Sequence, residues 1–285
     1  MAQSTNAAPT PKAGRDLPAA IGVGVALFVV LAFGLVWAPW LFIGLVALGL
    51  CLAAVEVHRA LLLKGMRSEI RVIVAGTAVS VVGGYVAALV DMRVTPTSFV
   101  IICLGATTIV ALASRLFRGA EGFIRDVAAS ALVIAYIPLL GMFVPLLMGA
   151  DKGQLRILTV IVCVVASDTG AYAVGSLLGR HKLAPHISPG KTWEGLAGGV
   201  AVTTVIAVLA SVYLLDAPWW VGIPLGILVS LAATVGDLVE SLLKRDAGIK
   251  DMSNFLPGHG GVMDRLDSML VAFPVGWLVL HLALG

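Results

Sequence analysis

The sequence has little charge. Only 12% of its 285 residues are Asp, Glu, Lys or Arg, about half the ~25% of an ordinary soluble domain. A soluble enzyme of this length needs a polar coat that so few side chains do not supply. Disorder over the whole chain is excluded by the same figures, because 59% of the residues are hydrophobic. Cysteine is scarce: Cys51, Cys103 and Cys163 are odd in number, lie in apolar stretches and show no Cys-x-x-Cys spacing. That removes a disulfide scaffold and a thiol-metal knuckle. The five histidines form no His-x-x-x-His pair, which argues against zinc. No Gly-x-x-x-x-Gly-Lys-Ser/Thr loop occurs, and no Ser–His–Asp arrangement is legible. Long polar inserts are also missing, so one domain is the simplest organisation.

What is abundant is apolar sequence in long runs, the mark of a polytopic all-α membrane protein. Leu17 to Val55 is free of charge. As one helix it would be about 58 Å long, nearly twice a ~30 Å hydrocarbon core. It is also far longer than a signal-peptide core, so it reads as retained in the membrane. Pro39, between Trp37 and Trp40, is the natural break, since proline stops a helix and tryptophan prefers the interface. Two spans are therefore predicted near 18–36 and 39–56. Further spans are predicted near 72–90, 98–114, 127–148, 157–178, 194–215, 221–243 and 265–284, about nine in all. The Ala/Thr/Pro-rich residues 1–16 read as a disordered cytoplasmic tail. Residues 17–155 then form an N-terminal membrane region, and 156–285 a C-terminal catalytic region.

The cations test this count. Alternate connections carry Lys12 and Arg15; Arg59, Lys64, Arg67 and Arg71; Arg115, Arg118 and Arg125; Arg180, Lys182 and Lys191; and Lys244, Arg245, Lys250 and Arg265. The opposite connections hold only Arg93, Lys152 and Arg156. Sixteen of 19 cations thus fall on one side. The positive-inside rule makes that side cytoplasmic and puts the N-terminus there.

Against this background, acidic residues inside spans need a reason, because each costs at least ~2.5–3.5 kcal/mol at mid-bilayer. Asp168, Asp237 and Glu240 are so placed, and Glu56 sits at a span end, where snorkelling or pairing with a lysine is the ordinary explanation. Asp237, Glu240, Ser241 and Lys244 are spaced i, i+3, i+4 and i+7, on one helix face. Asp237 lies about 10 Å inward of Lys244, a depth that suits a polar pocket open to the cytosol. The loop after them holds Gly258, His259, Gly260 and Gly261, whose backbone amides are free to approach an anion. Asp264 and Asp267 then open the last span on one face. Carboxylates converging at one mouth suit Mg²⁺, which binds through one or two carboxylates plus substrate phosphates. A second loop, 179–195, carries Arg180, Lys182 and Lys191 before a helix start, a plausible phosphate site. The helix entering it brings Asp168 and Tyr172.

The stretch Ser241-x-x-Lys244-Arg245-x-x-x-x-Lys250-Asp251-x-x-x-x-x-Pro257-Gly258-His259-Gly260-Gly261-x-x-Asp264-Arg265-x-Asp267 resembles the signature of the phosphatidate cytidylyltransferases, also called CDP-diacylglycerol synthases. Gly236-Asp237-Leu238-x-Glu240, Ser167-Asp168-Thr169-Gly170-Ala171-Tyr172 and Ser188-Pro189-x-Lys191-Thr192-x-Glu194-Gly195 are similar to the family as well. The likeness covers roughly residues 160–285; residues 1–130 agree only as hydrophobic spans. The resemblance implies transfer of CMP from CTP to phosphatidic acid, giving CDP-diacylglycerol and pyrophosphate in phospholipid biosynthesis. It implies Mg²⁺ on Asp237 and Asp264, with room for a second, monovalent cation such as K⁺. It implies catalytic roles for Lys244, Arg245, Lys250, Asp251 and Asp267. Substrate contacts would come from Ser241, Gly258, His259, Gly260, Gly261, Arg265, Lys191 and Asp168. A homodimer in a bacterial plasma (inner) membrane, with the active site facing the cytoplasm and no nucleic-acid partner, completes the expectation. A cation-coupled transporter predicts an internal repeat and polar residues spread through the depth; neither is seen. A lipid kinase would differ in which phosphate it transfers.

Overall fold

The computed structural model describes residues 17–90, 93–255 and 260–285; the expected tail, 1–16, lies outside them. Eleven helices and one hairpin follow in order. They are α1 (Leu17–Trp37), α2 (Pro39–Leu63), α3 (Ile70–Leu89), α4 (Pro96–Leu116), α5 (Phe123–Tyr136), α6 (Pro138–Gly141), α7 (Phe143–Met148) and α8 (Gly153–Leu178). The antiparallel hairpin β1 (Lys182–Ala184) and β2 (Ser188–Thr192) comes next, then α9 (Trp193–Tyr213), α10 (Gly222–Ala247) and α11 (Met263–Leu284). Among the described residues, eight segments are long and apolar enough to cross a membrane, with α5–α7 counting as one and α10 extended back to Trp219. In α1, the ninth expected span, the stretch Gly24–Trp37 is apolar but shorter.

The helix boundaries follow local chemistry. Ala38 alone separates α1 from α2, and Pro39 takes the first position of α2, where its missing N–H costs nothing. Thr95 caps α4, its side chain accepting from Ser98 N at 3.2 Å, and Thr192 caps α9 through Gly195 N at 3.1 Å. Gly248, at φ 73°, ends α10 in the left-handed cap that glycine favours.

Three features depart from the expected pattern. The span expected as one helix over 127–148 is broken at Ile137 and Met142. Pro138 cannot donate to the preceding turn, and the chain restarts as two short helices. Helices α2 and α10 run past the expected ends at 56 and 243, to Leu63 and Ala247. Hydropathy marks where a helix leaves the apolar layer, and a helix with good formers continues beyond that point. The hairpin is the one piece of sheet among the described residues in an otherwise all-α fold.

The C-terminal helices form the densest part: α8 packs on α9, and α10 on both α9 and α11, while α2 reaches α10 and α11 from the N-terminal half. Elsewhere the surface is apolar. Ile101, Ile102, Ile109 and Leu116 are exposed on α4, and Phe117 just past its end, an arrangement that suits a lipid surrounding. Two cation-bearing connections are locked together. Buried Arg115 donates from Nε to Asp126 Oδ2 at 3.0 Å, and to the carbonyls of Gly119 at 2.7 Å and Glu121 at 2.5 Å. Asp126 Oδ1 accepts from Arg67 N at 3.0 Å, Ser130 Oγ accepts from Glu69 N at 3.0 Å, and Arg118 pairs with Glu69. With each Arg115 nitrogen donating at least one bond, this buried pair meets the condition under which such pairs persist.

Candidate active site

Residues 168, 171, 172 and 175 recur at i, i+3, i+4 and i+7, so α8 turns Asp168, Ala171, Tyr172 and Gly175 to one side. That face lines a cavity of about 450 Å³. Opposite it, α10 contributes Thr234 and Asp237; the hairpin closes one end with Leu183, Ser188 and Lys191, and the start of α9 adds Thr192 and Leu196. Tyr172 lines the cavity yet is 79% exposed, so the wall at α8 opens outward rather than sealing the space.

The charges are arranged in two linked sets. In the cavity, Lys191 Nζ sits 2.8 Å from Asp237 Oδ2, and Ser241 Oγ donates to Asp237 Oδ1 at 3.2 Å. One turn further along α10, Lys244 lies between Glu240, which is fully buried, and Asp264 Oδ1 at 2.8 Å. Asp264 Oδ2 accepts from Met252 N at 2.9 Å and from Gly261 N at 2.8 Å, which folds the signature loop back onto the start of α11. Gly260 takes φ 76° there, and a Cβ on it would lie 3.0 Å from Asp264 Oδ2, so both conformation and space require glycine. Asp267 Oδ1 accepts from Ser268 N at 2.6 Å. Helices α10 and α11 meet closely at Gly236, where a side chain would strike the Asp267 carbonyl.

The sequence-predicted residues thus fall into groups. Asp168, Lys191 and Asp237 line the cavity, with Ser241 bonded to Asp237. Lys244, Asp264, Gly260 and Gly261 meet in the loop anchor. Arg245 reaches the hairpin, its Nε donating to Ile187 O at 3.4 Å. Lys250, Asp251 and Arg265 are exposed and do not line the cavity; Gly258 and His259 lie outside the described residues. Sequence reasoning missed the cavity-lining Thr192 and Thr234. It also explained Glu56 by snorkelling or a lysine pair, whereas the residue is 4% exposed and its carboxylate accepts from Ser253 Oγ, Val262 N and Met263 N at 2.5, 3.0 and 2.7 Å. A lone acid at the end of an apolar run was the one available signal.

Among the described residues no three His, Cys, Asp or Glu side chains gather to hold a metal by themselves. A Mg²⁺ ion completed by phosphates needs only one or two carboxylates. Asp237 and Asp264 each hold a lysine ammonium at 2.8 Å, so both are hard-oxygen positions already suited to a cation. Asp237 faces the cavity, while Asp264 is also engaged by two backbone amides. The donor set fits Mg²⁺ best at Asp237.

A model of the cytidylyltransferase family matches residues 18–283. The chain belongs to that family. A relative from Mycobacterium leprae is 39% identical over 294 residues, covering 99% of this chain and 92% of its own, and one from Mycobacterium bovis is 36% identical over 298 residues, covering 99% and 94%. A Bacillus subtilis protein is 46% identical over 123 residues, 42% of this chain and 46% of its own. All three are named phosphatidate cytidylyltransferase. This cytidylyltransferase is a membrane-spanning enzyme that transfers CMP, and the likeness extends through the N-terminal half, where the residues had shown only hydrophobic spans.

Proposed function

We propose that the chain transfers CMP from CTP to phosphatidate within the α8–α10 cavity, on the cytoplasmic face of a bacterial inner membrane. The observation that carries this reading is a charged chamber, with Lys191 on Asp237, whose Tyr172 wall is open to the outside. A phosphatidate headgroup then reaches the charges while its acyl chains stay in lipid. Its monoester oxygen, anionic near pH 7, attacks the α-phosphorus of CTP. The bond to the β-phosphate breaks and pyrophosphate leaves. No general base is needed, so the protein's work is positioning and charge neutralisation.

Lys191 in the cavity, with Lys244 further along α10, would neutralise phosphate charge, and Arg245 and Lys250 would screen the leaving pyrophosphate. Ser241 and Asp168 would orient the nucleotide side of the cavity, and the glycine-rich loop around Gly260 would bring backbone N–H groups to phosphate, the Gly261 N–H being held by Asp264. Arg265 and Asp251 lie outside the cavity lining. Mg²⁺, held by Asp237 with Asp264, supplies charge stabilisation to the phosphates when bound. Asp267 suits a second, monovalent cation such as K⁺. A homodimer is the proposed assembly.

The test is label transfer in membranes with Mg²⁺. Radiolabel from α-³²P-CTP enters the lipid fraction only when phosphatidate is present, and label from γ-³²P-CTP does not. Lipid labelled from the γ-phosphate would refute the reading and point to a kinase.

A further inference from the structure

Glu56 lies outside the segments whose residues resemble the family signature, on a helix of the N-terminal half. Resting on the proposed CTP site, we infer that Glu56 is a positioning residue that holds the signature loop and the first turn of α11 in register with the cavity. The position needs such a group. A helix start leaves backbone N–H groups without partners, and the cap residue of α11 is Val262, whose side chain has no oxygen to accept from them. Glu56, 206 residues earlier than Val262, supplies both carboxylate oxygens, one to Val262 N and one to Met263 N. A negative charge at a helix N-terminus is further favoured by the helix dipole. Through Ser253 Oγ, the same carboxylate pins the loop upstream of the glycines.

Gly261 shows how close this fit is. A Cβ there would lie 2.6 Å from Glu56 Oε2, so the loop rests directly on the carboxylate. The other side of Gly261 is tied by its N–H to Asp264 Oδ2, and Asp264 in turn holds Lys244. A line of contacts therefore runs from α2 to the phosphate-neutralising lysine. Glutamine has the size of Glu56 but not its acceptors. Its amide nitrogen must face Met263 N–H or the Val262 and Ser253 donors, so at least one bond becomes a repulsion.

The experiment compares Glu56→Gln and Glu56→Asp with the full-length chain in detergent, and Glu121→Gln, an exposed site, is the control. Three quantities are read: trypsin cleavage after exposed Lys250 in the loop, KM and kcat for CTP, and the thermal midpoint. Glu56→Gln is expected to speed cleavage about tenfold and raise KM for CTP about tenfold, the effect of losing one hydrogen bond to a charged group near the low end of its range, with the midpoint little changed. Glu56→Asp keeps the charge and recovers part of both effects. Ser253→Ala, which removes one donor, gives a smaller change in the same direction and keeps the test open if Glu56→Gln fails to assemble. Wild-type cleavage and KM in Glu56→Gln, or a lowered midpoint alone, would overturn the inference. Absence of CTP-dependent transfer by the wild-type chain would instead strike the proposed function, and the cleavage comparison would still decide the role of Glu56.

Discussion

Replacing Gly261 by alanine adds one methyl group and leaves every polar atom in place. The new Cβ would lie 2.6, 2.8 and 2.9 Å from Oε2, Oε1 and Cδ of Glu56. To reach an ordinary contact the carboxylate must retreat by roughly 0.5–1 Å. A carboxylate end is normally free to swing, but this one is fixed by bonds of 2.5, 3.0 and 2.7 Å. Retreat stretches them past the ~3.2 Å limit of a good hydrogen bond. Each such bond to a charged group is worth about 1.5–3 kcal/mol net. Losing the two to Val262 and Met263 costs about 3 kcal/mol at the lower bound, about a hundredfold in the ratio of docked to undocked loop. Hydrogen–deuterium exchange reads this locally, because amide protection reports opening of that segment rather than of the bundle. The peptide spanning 260–268 should exchange about a hundredfold faster in Gly261→Ala, with peptides from α8 and α9 unchanged. Exchange within about threefold of wild type would refute the reasoning, since the loop would then have room that the contacts deny it.

Other perturbations probe separate parts. Asp237→Ala and Asp264→Ala are each expected to lower CTP incorporation at least about a hundredfold in folded protein, given one lost charge-stabilising group of ~2.7–4 kcal/mol; near-wild-type rates would sink the cation assignment. Arg115→Met leaves Asp126 buried without its partner and should destabilise by about 3–5 kcal/mol, read as a fall in thermal midpoint, while adding Asp126→Leu restores part of the loss. For topology, Phe117→Cys should react with a membrane-impermeant maleimide from the cytoplasmic face, and Trp219→Cys from the opposite one. Labelling of both from one side would overturn the cation-based orientation.

The helices were legible because the bilayer imposes one length and one composition on each of them. Pro39 between two tryptophans identified the first hairpin, and the spacing of Asp237, Ser241 and Lys244 identified a face that the structure does bring to the site. The break at Ile137–Pro138 was less visible, because α5–α7 are apolar throughout and hydropathy does not register a kink. Short β1 and β2 were hidden for a different reason. Their residues, Lys182–Ala184 and Ser188–Thr192, show no alternation, and the strands exist because the hairpin is tied at both ends, Arg245 to Ile187 and Lys191 to Asp237. The role of Glu56 could not be read because two of its three partners are backbone amides. An N–H group looks the same at every position of a sequence, so nothing in the pattern says which ones a distant carboxylate will find.

The distance from Glu56 to Met263, 207 residues, is also an interval of time. A ribosome adding about 5–20 residues per second needs on the order of 10–40 s to cover it. Through that interval α2 is already made, and it carries a carboxylate whose partners do not yet exist. Burial without partners is costly, so until α11 arrives the acid belongs at the water-facing end of its helix. Synthesis of the last helix is therefore the step that supplies Glu56 with the Val262 and Met263 amides. A stalled or truncated product lacking α11 would sit in the membrane like the finished protein but without a working site.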